Sequence, residues 1–296
     1  MLKLLKKFLS VLLLTATLLP AGYAAPENST GADKSSEANN KALPHYTVEL
    51  APEVTLELVL LKGGTFIMGS PESEIGRWKG QGEDQRKVVI TRPFYIAVFE
   101  TTQAQYEAVM KRNPSVRSRG PHLPVTDVSW QDAMDFCARL NLLTEKTRPA
   151  NYKFTLPTEA QWEYACRAGT RTALNNRKNL THNGRCANLD EVGWYMGNSN
   201  GRVQIVGQKK PNAWGLYDMH GNAWEFCLDY WCKNPAQYSC INPQGPPPNE
   251  SNGDHVKKGG GFYLKAERSR SGARSGQNEA KYYMSFRVAL VYAPDE

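Results

Sequence analysis

Residues 212–231 read NAWGLYDMHGNAWEFCLDYW, and no other stretch limits the possible folds of this chain as much. Trp214, Trp224 and Trp231 do not keep one helical face, which excludes an amphipathic helix. Large rings alternate with the oxygen-bearing Asp218, Asn222, Glu225 and Asp229, while Gly215 and Gly221 permit tight turns. That mixture suits a buried aromatic core with an oxygen-lined ion site at its edge.

The 296 residues do not all belong to a fold. Lys3, Lys6 and Lys7, an apolar run at 8–19 and the small residues around Ala24 have the layout of a secretory signal peptide, expected to occupy 1–24. The apolar run is too short to span a bilayer, so a soluble, exported protein, periplasmic or extracellular, is expected, without a stable membrane anchor. Residues 25–50 are mostly small and polar and read as a disordered linker. Residues 51–293 then suit one domain, with no internal repeat. The formal charge of +7 loses three lysines with the leader, and the mild excess that remains does not argue for nucleic-acid binding.

The six cysteines (Cys137, Cys166, Cys186, Cys227, Cys232, Cys240) make disulfides plausible in an exported chain. Cys227, Cys232 and Cys240 crowd together, so a local pair among them is the first expectation. Their spacing without a nearby histidine argues against zinc. Cys137 and Cys166 fall in helical, half-apolar stretches, where a buried free thiol is ordinary.

Residues 54–69 alternate and turn at Gly63-Gly64, which predicts a hairpin. Residues 87–99 are β-branched and aromatic, with Pro93 dividing them into two strands. Thr102, Ser129 and Thr158 each open a helix with a capping box. From 170 to 260 regularity fades, apart from a strand-like run at 203–206, and 286–292 alternate as a closing strand. The fold class is an irregular α+β domain.

Nine blocks in order now carry a resemblance: GGTFIMGSPESE, PFYIAVFETTQAQYEAVM, NPS, LPVTDVSWQDAMDFC, LPTEAQWEYACRAGT, PNAWGLYDMHGNAWEFC, KKGGGF, ARSG and FRVAL. Together they resemble the formylglycine-generating enzyme, or sulfatase-modifying factor, family from about residue 52 to 292. The resemblance implies a single C-type-lectin-like domain of low regular secondary structure with structural Ca²⁺. It also implies an oxygen-dependent oxidation of a sulfatase cysteine by copper held between two thiolates, soft ligands that suit Cu(I). The positions of those thiolates fall near Leu264 and Glu267, and no cysteine follows Cys240. The known redox centre is therefore lacking, and neither copper nor cysteine-to-formylglycine oxidation is expected.

For calcium, the resemblance points to Asp218, Gly221, Ala223 and Glu225, an oxygen set of the kind Ca²⁺ favours, with a second site at Asn188 and Leu189. Of the five histidines only His220, beside this turn, invites attention, and packing is its ordinary role. Trp78, Trp162 and Trp194 read as core aromatics. Lys265, Arg268 and Arg270, in the segment that replaces the redox centre, form a candidate cationic groove for an acidic or sulfated ligand. In the ordinary alternative, Asp218 and Glu225 are loop carboxylates paired with arginines, Arg274 and Arg287 form structural ion pairs, and the lysines are a solvated face. The expected function is a monomeric, calcium-stabilised binding or accessory module serving such a ligand or another exported protein. The alternative is an oxidoreductase of the same family, tailoring a small molecule or maturing sulfatases through an unconventional site.

Overall fold

The computed structural model describes residues 43–293. The expected leader at 1–24 and most of the expected linker lie outside the described residues. Where the two overlap, the linker gives way to structure: β1 (His45–Ala51) pairs antiparallel with β2 (Val54–Leu61). Val48 is buried there and Tyr46 and Leu50 pack against the core, so three alternating apolar residues suffice to order a segment whose neighbours are polar.

The larger sheet continues from β2 to β5 (Phe94–Ala97), β11 (Ala289–Tyr292) and β6 (Tyr152–Thr155), all antiparallel. The expected hairpin of 54–69 does not form. β3 (Gly64–Met68) leaves β2 and pairs with β4 (Arg86–Ile90) in a separate two-stranded sheet. The reason lies at Gly63, where a Cβ would stand 2.5 Å from the Ile90 carbonyl oxygen. Backbone packs there at a distance only glycine allows, and the chain changes sheets. Pro93 divides β4 from β5 as expected, one strand in each sheet.

A third sheet has the order β10 (Met284–Ser285), β7 (Trp224–Tyr230), β8 (His255–Lys258) and β9 (Ser275–Gln277). Residues 203–206 do not form the expected strand. Gln204 N–H donates to Asn222 Oδ1 and Val206 N–H to the His122 carbonyl, so loop and side-chain partners satisfy this backbone.

All three capped helices are present: α1 (Gln103–Met110), α2 (Trp130–Leu143) and α3 (Glu159–Arg167), each with a reciprocal capping box at Thr102, Ser129 and Thr158. A single turn, α4 (Ala187–Asp190), follows. Tyr106 of α1, Phe136 of α2 and Phe286 form a ring cluster under the larger sheet, with Tyr106 and Phe136 stacked at 5.7 Å. Trp162 of α3 centres a second cluster with Ile96, Leu216 and Cys227. Trp162 is the core aromatic expected; Trp78 is 41% exposed and is not. All six cysteines are free thiols, so the expected local disulfide is not formed. Cys227 is buried in β7 while Cys240 is exposed.

Candidate functional site

The turn that leads into β7 is built from backbone that most side chains disfavour. Asp218 and Asn222 adopt left-handed φ of 57° and 61°, and Gly221 has φ 122°. A Cβ on Gly221 would stand 2.0 Å from the Trp194 carbonyl oxygen, so the turn is wedged against residue 194. This arrangement turns three carboxylates inward. Glu225 accepts from Trp162 Nε1 at 2.7 Å through Oε2, and from Arg287 Nε and Nη2 at 2.6 and 2.7 Å. Glu100 accepts from Asn222 Nδ2 at 2.6 Å and from Ala223 N–H at 2.8 Å. Asp218 Oδ2 accepts from Gly207 N–H at 2.7 Å, while its Oδ1 is buried without a hydrogen-bond partner.

All three carboxylates are buried, and the guanidinium of Arg287 is the cation placed among them. Burial and then the charges of Asp218 and Glu225 hold the Glu100 carboxyl well above the ordinary range. Burial, opposed by the Gly207 N–H and Arg287, raises Asp218 to about 6. One guanidinium against three acids leaves negative charge that protonation relieves, in keeping with the raised carboxyl pKa values.

Calcium fits this donor set in part. Asp218 Oδ1 is an unused oxygen, and Glu225, with three donors on its two oxygens, keeps one lone-pair position. Among the described residues, however, no group of three or more His, Cys, Asp or Glu side chains forms a metal cluster, so backbone oxygens around Gly221 and Ala223 would have to complete the shell. The second proposed site fits worse. The Asn188 carbonyl accepts from Asn176 and its amide donates to the Asn179 carbonyl, while the Leu189 carbonyl accepts from Val192 and Gly193. Those groups are consumed by the local turn.

The segment expected to carry a cationic groove is mostly interior. Arg270 is fully buried, bonded to Glu74 at 2.7 Å and to both oxygens of Glu83 at 2.7 and 3.0 Å. It cannot meet a ligand: the charge that seemed free in the sequence is neutralised by residues almost 200 positions earlier. Arg268 lies over the Trp78 ring at 3.6 Å, which leaves Lys265 as the one exposed member of the trio. Leu264 packs against the large core cluster and Glu267 lies beside Arg268.

His220 is packed as well. Its Nδ1 donates to the Ser269 carbonyl at 2.7 Å and its Nε2 accepts from Asn175 N–H at 3.0 Å, so both nitrogens are committed to the neutral ring. Burial lowers its pKa to about 4 and raises that of the adjacent Cys166, 3.8 Å away, to about 12. This Cys–His neighbour pair has no nucleophilic thiolate.

Lys257, which the sequence groups with the basic residues around 258–274, is interior as well. It is 7% exposed, its amine lies 5.3 Å from the Trp224 ring and 5.5 Å from the Tyr283 ring, and burial lowers its pKa to about 8. No periodicity could have marked it, because strand β8 is buried along its whole length, lysines included.

A family model for the sulfatase-modifying factor enzyme 1-like domain matches residues 47–291, and the chain belongs to that family. It is similar to the formylglycine-generating enzyme of Bos taurus, 27% identical over 307 residues that cover 82% of this chain and 77% of that one. It is also similar to the chaperone protein LppX of Paenibacillus barcinonensis, 30% identical over 226 residues, covering 62% and 74% of the two chains. Among solved structures, PvdO from Pseudomonas aeruginosa superposes with a TM-score of 0.71 and 25% identity, covering 83% of this chain and 97% of that one.

Proposed function

We propose that this family member is an exported binding or accessory module, stabilised by Ca²⁺ at the Asp218–Glu225 turn, and that it does not convert cysteine to formylglycine. The observation that carries the reading is that no cysteine follows Cys240, where the resemblance would place the copper thiolates near Leu264 and Glu267, together with the burial of three of the other thiols. Cys137, Cys166 and Cys227 are buried, with pKa values raised by burial, so none presents a thiolate. Asp218 and Glu225, with the carbonyls of Gly221 and Ala223, would hold the ion, which would supply positive charge where three carboxylates face one arginine. The likeness to a protein named as a chaperone supports a non-oxidative role for this scaffold. Export rests on the basic, apolar and small-residue order of the first 24 residues, and among the described residues no helix is long and apolar enough to cross a membrane.

The test is aerobic incubation of the copper-supplied protein with a peptide carrying a sulfatase cysteine motif, read by mass spectrometry. Unchanged peptide is the expected result, and stoichiometric loss of the thiol to an aldehyde overturns the reading. One observation favours the second reading, an oxidoreductase acting on a small molecule: the buried Lys257 amine beside Trp224 and Tyr283 could move a proton near neutral pH. A redox metal retained through purification would support that alternative.

A further inference from the structure

The charged cleft of this protein opens beside the start of the segment where the redox centre was expected, with Phe262 in its lining. A cavity of about 700 Å³ opens between the loop after α1 and the loop at 201–208. Arg117, Arg119 and Arg202 line it, along with the carboxamides of Gln204 and Gln208, and no acidic residue does. Its floor is apolar: Val203 and Phe262 are buried, with Leu123 and Tyr282 packed against them.

The arginines here differ from those of the interior. Arg167, Arg270, Arg274 and Arg287 are each buried against a glutamate. Arg117, Arg119 and Arg202 are exposed, and among the described residues none makes an ion pair. The Arg117 guanidinium lies 3.5 Å above the Tyr282 ring, which holds it in place while its in-plane N–H groups stay available. Three like charges around one hollow repel each other until a counter-charge enters.

The cleft is also held in shape. Asn222 accepts from Gln204 N–H at 2.8 Å and donates to the Gln204 carbonyl, and Gly207 N–H donates to Asp218. The loop that carries Arg202 is thus tied to the carboxylate turn, and pre-placed donors lose little entropy on binding.

We propose that this cleft binds an oligosaccharide bearing two or more anionic groups, sulfate ester or uronate, with Arg117, Arg119 and Arg202 taking the anions and Gln208 the ring hydroxyls, joined by Gln204 Oε1, since Gln204 Nε2 is bonded to the Ser199 and Arg202 carbonyls. The proposal rests on the binding-module reading and gives it a ligand class and a location. Guanidinium forks match planar carboxylate and tetrahedral sulfate oxygens in pairs. A planar nucleobase finds no platform, since Phe262 is only 5% exposed and Arg117 already covers Tyr282. A cavity of this size falls in the range that encloses a small organic ligand.

The test is calorimetric titration of the full chain, with calcium and at low salt, using a trisulfated heparin disaccharide, a digalacturonate and a neutral disaccharide. At least one anionic sugar binds and the neutral one does not. Arg117→Ala/Arg202→Ala weakens binding by about tenfold or more, the scale of losing charge-assisted hydrogen bonds. Arg119→Glu abolishes it, and Lys265→Ala leaves it unchanged. The sulfated and uronate arms identify which anion is preferred. Because the three arginines are exposed, circular dichroism of the variants should match the wild type. If the sugars bind the double variant unchanged but lose affinity on Lys265→Ala, the module reading stands and this cleft is wrong. If the neutral sugar binds as tightly as the charged ones, the anion assignment falls. If none binds, the cleft assignment falls, and the module reading is decided separately by the peptide oxidation assay.

Discussion

Arg287 holds Glu225 through two parallel hydrogen bonds, Nε to Oε2 at 2.6 Å and Nη2 to Oε1 at 2.7 Å, with neither residue exposed. The same guanidinium donates to the carbonyls of Ala97, Val98 and Tyr217, so one side chain joins β5, β7 and the turn between them in space. A buried pair of this kind is weak evidence of net stabilisation, yet removing one partner strands the other in a medium that cannot solvate it.

Arg287→Met is therefore expected to destabilise the protein by about 3–5 kcal/mol, because it leaves Glu225, Glu100 and Asp218 together without a cation. Urea unfolding monitored by tryptophan fluorescence measures this. A loss below about 1 kcal/mol would show that the carboxylates are neutralised by protons in the native state.

Calcium should raise thermal stability by mass action, by about 2.7 kcal/mol at a hundredfold excess over its dissociation constant. Chelation should lower the melting temperature of the wild type and have little effect on Asp218→Asn, which loses the unpartnered buried oxygen. If wild type and variant respond alike to chelator, the turn is not the site.

Asp229 gives a pH signature. Its Oδ2 accepts the Glu159 N–H at the start of α3 at 2.7 Å, and burial followed by the Glu159 charge raises its pKa to about 7, against the pull of Arg274. The folded state thus keeps a proton that the unfolded chain releases near the ordinary aspartate value of 3.8. This contribution is present at low pH and is lost as pH rises from about 4 to 7. Melting temperatures of Asp229→Asn across that window should fall less steeply with pH than those of the wild type; parallel curves would rule the assignment out.

The thiols should separate by burial. In the native protein iodoacetamide is expected to label Cys240 first and the half-buried Cys232 next, leaving Cys137, Cys166 and Cys227 untouched until denaturant is added. Peptide mapping by mass spectrometry reads the order. Early labelling of Cys166 would mean that its site beside His220 opens, contrary to the packing described.

Much of the local structure could be read from the chain because it is governed by near neighbours. Thr102, Ser129 and Thr158 each bond a first-turn amide three residues on, so a capping box is written in four consecutive letters. Pro93 likewise breaks a strand wherever it stands, having no N–H for a ladder. The order of the nine blocks was enough to identify the family. Pairing was not legible in the same way. The alternation of 54–69 is equally compatible with a hairpin and with two strands in different sheets, and the close approach of the residue 90 backbone to Gly63 decides between them.

Charge was the least legible property. Arg270 and Arg117 look alike in the sequence, yet one is sealed against Glu74 and Glu83 while the other lies unpaired over Tyr282 at the mouth of a cleft. The sequence determined by itself which residue types are absent from a stretch, such as any cysteine after Cys240, since composition needs no geometry. Only the tertiary structure decided which charges are spent inside and which remain for a partner, because the free energy of a charge depends on what long-range folding places beside it.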